Sequence, residues 1–324
     1  MGCALVLLLS VLMADAGSSP PMQKTQNEGS RIKPEPIRNA GKSLPSDQEP
    51  NVPALRKAAD QGDSTAQVQL GNAYYFSQGV SQNNAEAVRW WRKAARQGNA
   101  DAQMNLGSAY DNGQGVSQNH AEAVRWWRKA ADQGNAGAQA NLGIAYYLGQ
   151  GVPRNYAEAA RWDKKAADQG NAKAQFNLSR EYSKGEGVSQ DQTEAVRWCK
   201  KAADRGDADA QANLGHAYAH GEGVPQDYAE SVRWLRKAAD QGDAGAQNIL
   251  GYDYFHGEGL AQDYAEAYFW ANLAAALNKN TKEGSFTKLR DEVAARLPPT
   301  QLSATQKRCR QWLEAFEKRK AQKR

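Results

Sequence analysis

Apolar and small residues recur among polar ones at helical spacing through most of the chain. In the stretch 99–134, Ala102, Leu106, Ala109 and Tyr110 fall at i, i+4, i+7 and i+8, a single stripe of one helix. Gly113-Gln114-Gly115-Val116 interrupts it, because glycine reaches the positive φ values that a tight connection between helices needs. Ala123, Trp126 and Ala130 then mark a second helix at i, i+3 and i+7, with Gly134 expected as its C-cap. Gly107, inside the first stripe, costs about 1 kcal/mol of helix propensity against Ala. Its expected use is to let the second helix approach closely.

The same two-helix pattern returns every 36 residues. Leu70, Leu106, Leu142, Leu178, Leu214 and Leu250 mark the period, and so do Trp90, Trp126, Trp162, Trp198, Trp234 and Trp270. Six copies follow without insertion or deletion: 63–98, 99–134, 135–170, 171–206, 207–242 and 243–278. One hairpin cannot bury its own apolar face, so a fixed period of this length predicts a helical solenoid. Residues 52–62 match the end of a second helix and read as an N-terminal half repeat. Residues 279–324 leave the repeat. Phe286–Leu297 reads as one helix stopped by Pro298-Pro299, and Gln301–Lys320 as another, together capping the end of the stack.

The repeated pattern A-x-A-Q-x-x-L-G-x-x-Y, then G-x-G-V, then A-E-A-x-x-W-x-x-x-A-A-x-Q-G, resembles the Sel-one-like repeat (SLR), a relative of the tetratricopeptide repeat. The resemblance spans 63–278 and the half repeat before it. It implies an all-α, α-α superhelical solenoid of six helical hairpins, an adaptor role in protein complexes and, in bacteria, frequent export. A cysteine-rich branch of the family is linked to β-lactam binding or hydrolysis, so a β-lactam- or cell-wall-active enzyme is the alternative reading. That branch carries a disulfide pair within each repeat. Here Cys199 stands alone in its repeat, Cys309 lies beyond the last one, and no Ser-x-x-Lys or Gly-x-Ser-x-Gly arrangement occurs. The chain is therefore read as no enzyme.

The ends of the chain add an address and a charge asymmetry. Ala4–Met13 is an apolar stretch of signal-peptide length, and Ala14-Asp15-Ala16 fits the small-x-small cleavage rule, although no Lys or Arg precedes it. A signal peptide over 1–16 and an exported, periplasmic or secreted product are expected. Residues 17–51, rich in Pro and polar side chains, read as a disordered linker. The net charge of +5 divides unevenly, with a mildly acidic repeat array and a basic segment after 278. That distribution argues against nucleic acid as a partner. Lys318-Arg319-Lys320 and Lys323-Arg324 read as a solvated tail.

Counting from the first residue of each copy, positions that hold one residue in every copy read as packing, and variable ones as free for binding. In the first helix, positions 3, 6, 10, 13 and 14 vary and share one face. The corresponding face of tetratricopeptide-like arrays is a concave groove, and the resemblance implies the same use for a protein or peptide ligand. The expected groove residues are Asn72, Tyr75, Ser108, Asp111, Ile144, Tyr147, Arg180, Ser183, His216, His220, Tyr252 and Phe255. Lateral packing between neighbouring first helices is the other reading of that strip. No cofactor, catalytic residue or metal site is expected. His216 and His220 have ligand-like spacing, but a third imidazole, His256, lies one repeat on from His220. Glu86, Glu122, Glu158, Glu194 and Glu230 recur too regularly for catalysis and are expected to pair at i, i+3 with Arg89, Arg125, Arg161, Arg197 and Arg233.

Overall fold

A computed structural model of the protein describes residues 51–278 and 285–322. The stretch expected as a signal peptide, nearly all of the expected linker and the last two basic residues lie outside the described residues. The described residues form fifteen helices and no strand. A short helix, α1 (Val52–Asp60), leads into six hairpins: α2 (Ser64–Phe76) with α3 (Asn84–Arg96), α4 (Ala100–Asn112) with α5 (His120–Asp132), α6 (Ala136–Leu148) with α7 (Tyr156–Asp168), α8 (Ala172–Lys184) with α9 (Gln192–Asp204), α10 (Ala208–His220) with α11 (Tyr228–Asp240), and α12 (Ala244–His256) with α13 (Tyr264–Leu277). Then come α14 (Ser285–Ala294) and α15 (Pro299–Gln322). The architecture is the all-α solenoid that the period implies. Its contacts divide it into two compact units at Trp234/Leu235, within α11.

Each of α1 to α13 starts where an Asn or Asp can cap it. Asn99 accepts from the Ala102 amide at 3.0 Å, and Asn119 from the Glu122 amide at 3.0 Å. Such a cap is worth about 1 kcal/mol. First helices stop at a left-handed residue: Gly113, Gly149, Gly185, Gly221 and Gly257, with Ser77 in the first repeat. Second helices end one residue earlier than the sequence suggests. Gln133 is the cap after α5, and Gly134 follows it at φ 90°.

In the unit ending at Trp234, the ninth-position small residues receive the second helix as expected. A methyl on Gly71 would lie 2.5 Å from the Trp91 ring, and one on Gly107 would lie 2.5 Å from Trp127. The sixth position is also packing, which corrects its reading as free, while the third ranges from exposed Thr65 to buried Gly137. Val68, Met104, Ala140 and Phe176 are buried, and Met104 Cε lies 3.2 Å from where a Gly137 Cβ would sit in the next repeat. Lateral packing thus takes part of the face assigned to binding.

A buried glutamine ladder ties repeat to repeat. Gln67, Gln103, Gln139 and Gln175 each donate to the carbonyl ending the preceding helix, at 3.0–3.1 Å. Gln97, Gln133 and Gln169 in turn donate to Gln67, Gln103 and Gln139 at 2.7–2.9 Å. Arg205 stands where the next donor belongs. It lies instead against Gly170, and the Gln175 Oε1 has no partner. Arg205→Gln is expected to complete the ladder and stabilise the protein by about 1 kcal/mol, read as a rise in thermal midpoint. An unchanged or lower midpoint refutes the ladder's contribution.

In the unit from Leu235 onward, α13 carries the C-terminal helices. Phe255, Ala267, Tyr268, Val293 and Leu297 form its core. Phe269 stands where earlier copies have Arg, and Glu266 is held by Arg308 of α15, whose guanidinium also lies 3.9 Å from the Phe269 ring centre. The Phe316 ring covers Gly242. The segment therefore covers α13, as a cap should. The helix limits differ from expectation: α14 ends at Ala294, and α15 begins at Pro299. Proline stops no helix when it is the first residue of the next, where its missing N–H has no intrahelical role.

Candidate functional site

Five of the twelve expected groove residues are interior, which corrects their assignment to a binding surface. Asn72, Ser108, Ile144, Asp111 and Phe255 are all buried. Asn72 accepts from the Trp91 indole at 3.0 Å and from Asn105 at 3.1 Å. Asp111 pairs with His120 Nδ1 at 2.8 Å. Variation between copies at these positions therefore follows the partner each residue meets inside, and does not mark freedom.

The remaining candidates are half-buried or exposed. Tyr75 donates to Gln114 at 2.7 Å, and Tyr147 to Glu186 at 2.9 Å, each bracing the turn of the next repeat. Arg180, Ser183 and His216 are half-buried beside exposed His220. The His216 and His220 rings stack with centres 4.1 Å apart, and His220 Nδ1 lies 3.0 Å from the His216 carbonyl oxygen. Burial and the neighbouring His220 push the His216 imidazole below the usual histidine range. In the second unit, Tyr252 and His256 make the equivalent ring pair, also 4.1 Å between centres. No group of three or more His, Cys, Asp or Glu among the described residues could hold a metal ion.

The outward position is the fourteenth. Phe76, Asn112, Leu148, Lys184 and His220 occupy it in the first unit, and His256 in the second, all exposed. Phe76 and Leu148 are 39% and 38% exposed, and the only other large apolar side chain so exposed among the described residues is Tyr228.

Other repeated polar groups have internal partners. The i, i+3 pairs form as expected, from Glu86–Arg89 at 3.3 Å to Glu194–Arg197 at 2.8 Å, on the solvent side. The repeated lysines lie over indoles: Lys93 is 3.9 Å from the Trp90 ring centre, and Lys201 3.7 Å from that of Trp198. Arg56 and Arg128 bond the hydroxyls of Tyr74 and Tyr146. Cys199 and Cys309 are free thiols, both buried, and burial pushes the Cys199 thiol up to about 12. A thiol held protonated in this way is a poor nucleophile.

Sequence reasoning missed one pair. Position 29 faces position 11 of the following repeat. There the copies place Trp91 with Ala109 and Trp127 with Ala145, but Asp163 with Glu181. Both carboxyls are buried, 1% and 2% exposed. Burial pushes both well above the usual carboxylate range, with Asp163 adding to the effect on Glu181. The signal was available as acids at two positions that other copies fill with Trp, Cys, Leu or Ala, Asp253 excepted. Reading it required knowing that the two positions meet.

Tandem hairpins of this length, a glutamine ladder and a small-residue seam for each second helix define a helical-repeat scaffold protein. The Sel1 repeat family model matches residues 55–63, 64–99, 100–135, 136–171, 172–207, 208–243 and 244–279, and the chain belongs to that family. Among solved structures it is similar to a Sel1 repeat protein from Oxalobacter formigenes, with 33% identity, 72% of this chain and 92% of that chain covered, and a TM-score of 0.63. It is also similar to a protective antigen of uropathogenic Escherichia coli strains that has an SLR fold, with 27% identity, 82% and 79% of the two chains covered, and a TM-score of 0.42. No curated protein matches. Sel1 repeat proteins are generally protein–protein interaction scaffolds, typically without catalytic activity. No helix among the described residues is long and apolar enough to cross a membrane.

Proposed function

We propose that this chain is an exported scaffold that docks a protein or peptide on the face formed by positions 13 and 14 of its first helices. The observation that carries the reading is the exposure of Phe76 and Leu148 at one repeat position, where among the other large apolar side chains of the described residues only Tyr228 is as exposed. Exposed apolar residues recurring on one face, flanked by half-buried Tyr75 and Tyr147, have the composition of interface anchors. Arg180, Ser183, His216 and His220 add the polar part of the surface in the unit ending at Trp234. Export rests on the Ala4–Met13 stretch and the Ala14-Asp15-Ala16 site, with Gly17 as the expected first residue of the mature chain.

A photo-crosslinking amino acid placed at 76 or 148 tests the face in the native host. Adducts with a defined partner are expected at both positions and not at 125, where the Arg side chain is 63% exposed on a second helix. Equal adducts at 125 refute the face. A protein recovered with residues 1–16 intact refutes export.

A further inference from the structure

Between the third and fourth repeats a small cavity is lined by Ile144, Tyr147, Asp163, Asn177, Arg180 and Glu181, with room for about one water molecule. Into it face three carboxylate oxygens with no hydrogen-bond donor in the protein: Asp163 Oδ1 and both oxygens of Glu181. The other Asp163 oxygen is met by Asn177. Buried polar atoms left this way are costly, and more so when charged. Asp163 is the one acid at a position that holds Trp91, Trp127, Cys199, Leu235 and Ala271 in the other repeats, and Glu181 faces it from a position that is Ala in four repeats and Asp253 in the sixth, so the facing pair is a departure with a cost and no packing return. We propose that Asp163 and Glu181 form a receptor site for a primary ammonium group, which enters past the half-buried Tyr147 and Arg180.

The chemistry matches in number, size and charge. An ammonium head carries three donors, one for each orphan oxygen, and is close to water in size. A planar guanidinium, with five donors in a wide fork, is too large for the space. With both acids ionised, the charges facing the site are Asp163, Glu181 and Glu186 against Arg180 and Lys173, and one further positive charge balances them. This deepens the docking reading: the ammonium is the head of a lysine side chain on the docked chain, since Tyr147, which lines the cavity, adjoins exposed Leu148. Failure of the docking face would appear in the crosslinking above. The site itself can be tested with no partner present.

The probe is methylammonium chloride, added to the full chain at constant ionic strength near pH 7.5. Tetramethylammonium and potassium chloride serve as comparators, and thermal midpoint is the readout. At ten times its dissociation constant, methylammonium is expected to raise the midpoint by roughly 3–5 °C, and neither comparator should do so. Titration calorimetry in two buffers of different ionisation heat is expected to show proton release on binding. Glu181→Gln is expected to remain folded, as four other repeats carry the neutral Ala at this position, and to lose both effects. An equal rise with tetramethylammonium, a rise with potassium alone, or a Glu181→Gln response equal to the wild type overturns the assignment.

Discussion

Gly115→Ala is expected to destabilise the protein by about 3 kcal/mol or more, while Gly113→Ser, two residues away, costs about 1 kcal/mol or less. Both glycines have positive φ, 68° at Gly113 and 75° at Gly115. A side chain in that region costs roughly 1–2 kcal/mol in backbone strain. The first repeat shows that this strain alone is tolerated, since Ser77 occupies the equivalent of Gly113 at φ 59°. Gly115 carries a second constraint. A methyl there would overlap the Asn84 carbonyl, at the start of the preceding repeat's second helix, and that backbone cannot swing aside as a side chain can. Overpacking of this kind adds roughly 1–3 kcal/mol. Gly151, Gly187 and Gly223 press in the same way on the His120, Tyr156 and Gln192 carbonyls. Thermal and urea unfolding of the two variants side by side checks the contrast. Equal losses at both positions would show that φ alone matters and that the repeats do not abut there.

Replacing Asp253 by Ala is expected to stabilise the protein at pH 8 by roughly 3–4 kcal/mol and to change little at pH 4. Asp253 lies at position 11, where four other copies have Ala and the fourth has Glu181. Burial first, and then the nearby Glu258 charge, push its carboxyl up to about 7. A raised acid favours the folded state while it is protonated. Its contribution is therefore complete below the unfolded value near 4 and is lost as pH rises through about 7. The wild type should accordingly weaken between pH 4 and 8, and Asp253→Ala should flatten that slope. Glu181 and Asp163, raised by burial in the other unit, act with the same sign. Thermal midpoints measured across this range provide the check. A slope identical in wild type and variant would mean that Asp253 ionises freely in the folded chain.

The cores of the hairpins were largely legible, although Tyr110 and Trp126 are half-buried and the buried ring is the neighbouring Trp127. Ala102, Leu106, Ala109, Ala123 and Ala130, picked out by helical spacing, are all buried, and the Glu–Arg pairs form on the solvent side as their i, i+3 spacing requires. The candidate surface was legible only in part. Tyr75, Tyr147 and His220 keep some exposure, while Asn72, Ser108, Ile144, Asp111 and Phe255 do not. One helix shows which residues share a face, but not how much of that face its neighbours cover. Invariance across copies was a sound sign of packing. Variation was a weak sign of freedom, because a buried position can vary whenever its partner varies too. Asn72 under Trp91 and Asp163 beside Glu181 are both such pairs.

What the amino-acid order determined by itself was local and periodic: helix phase, the breaks between helices, the 36-residue unit and the family. These depend on propensities and spacings within one turn or one repeat, which a linear reading contains. What only the tertiary structure decided was relational. It brought position 29 to position 11 of the next repeat, pressed Gly115 on the preceding backbone, and left position 14 as the outward row. Those outcomes depend on the angle and distance at which one hairpin lies on another, and the interlock of side chains across the whole interface sets that angle.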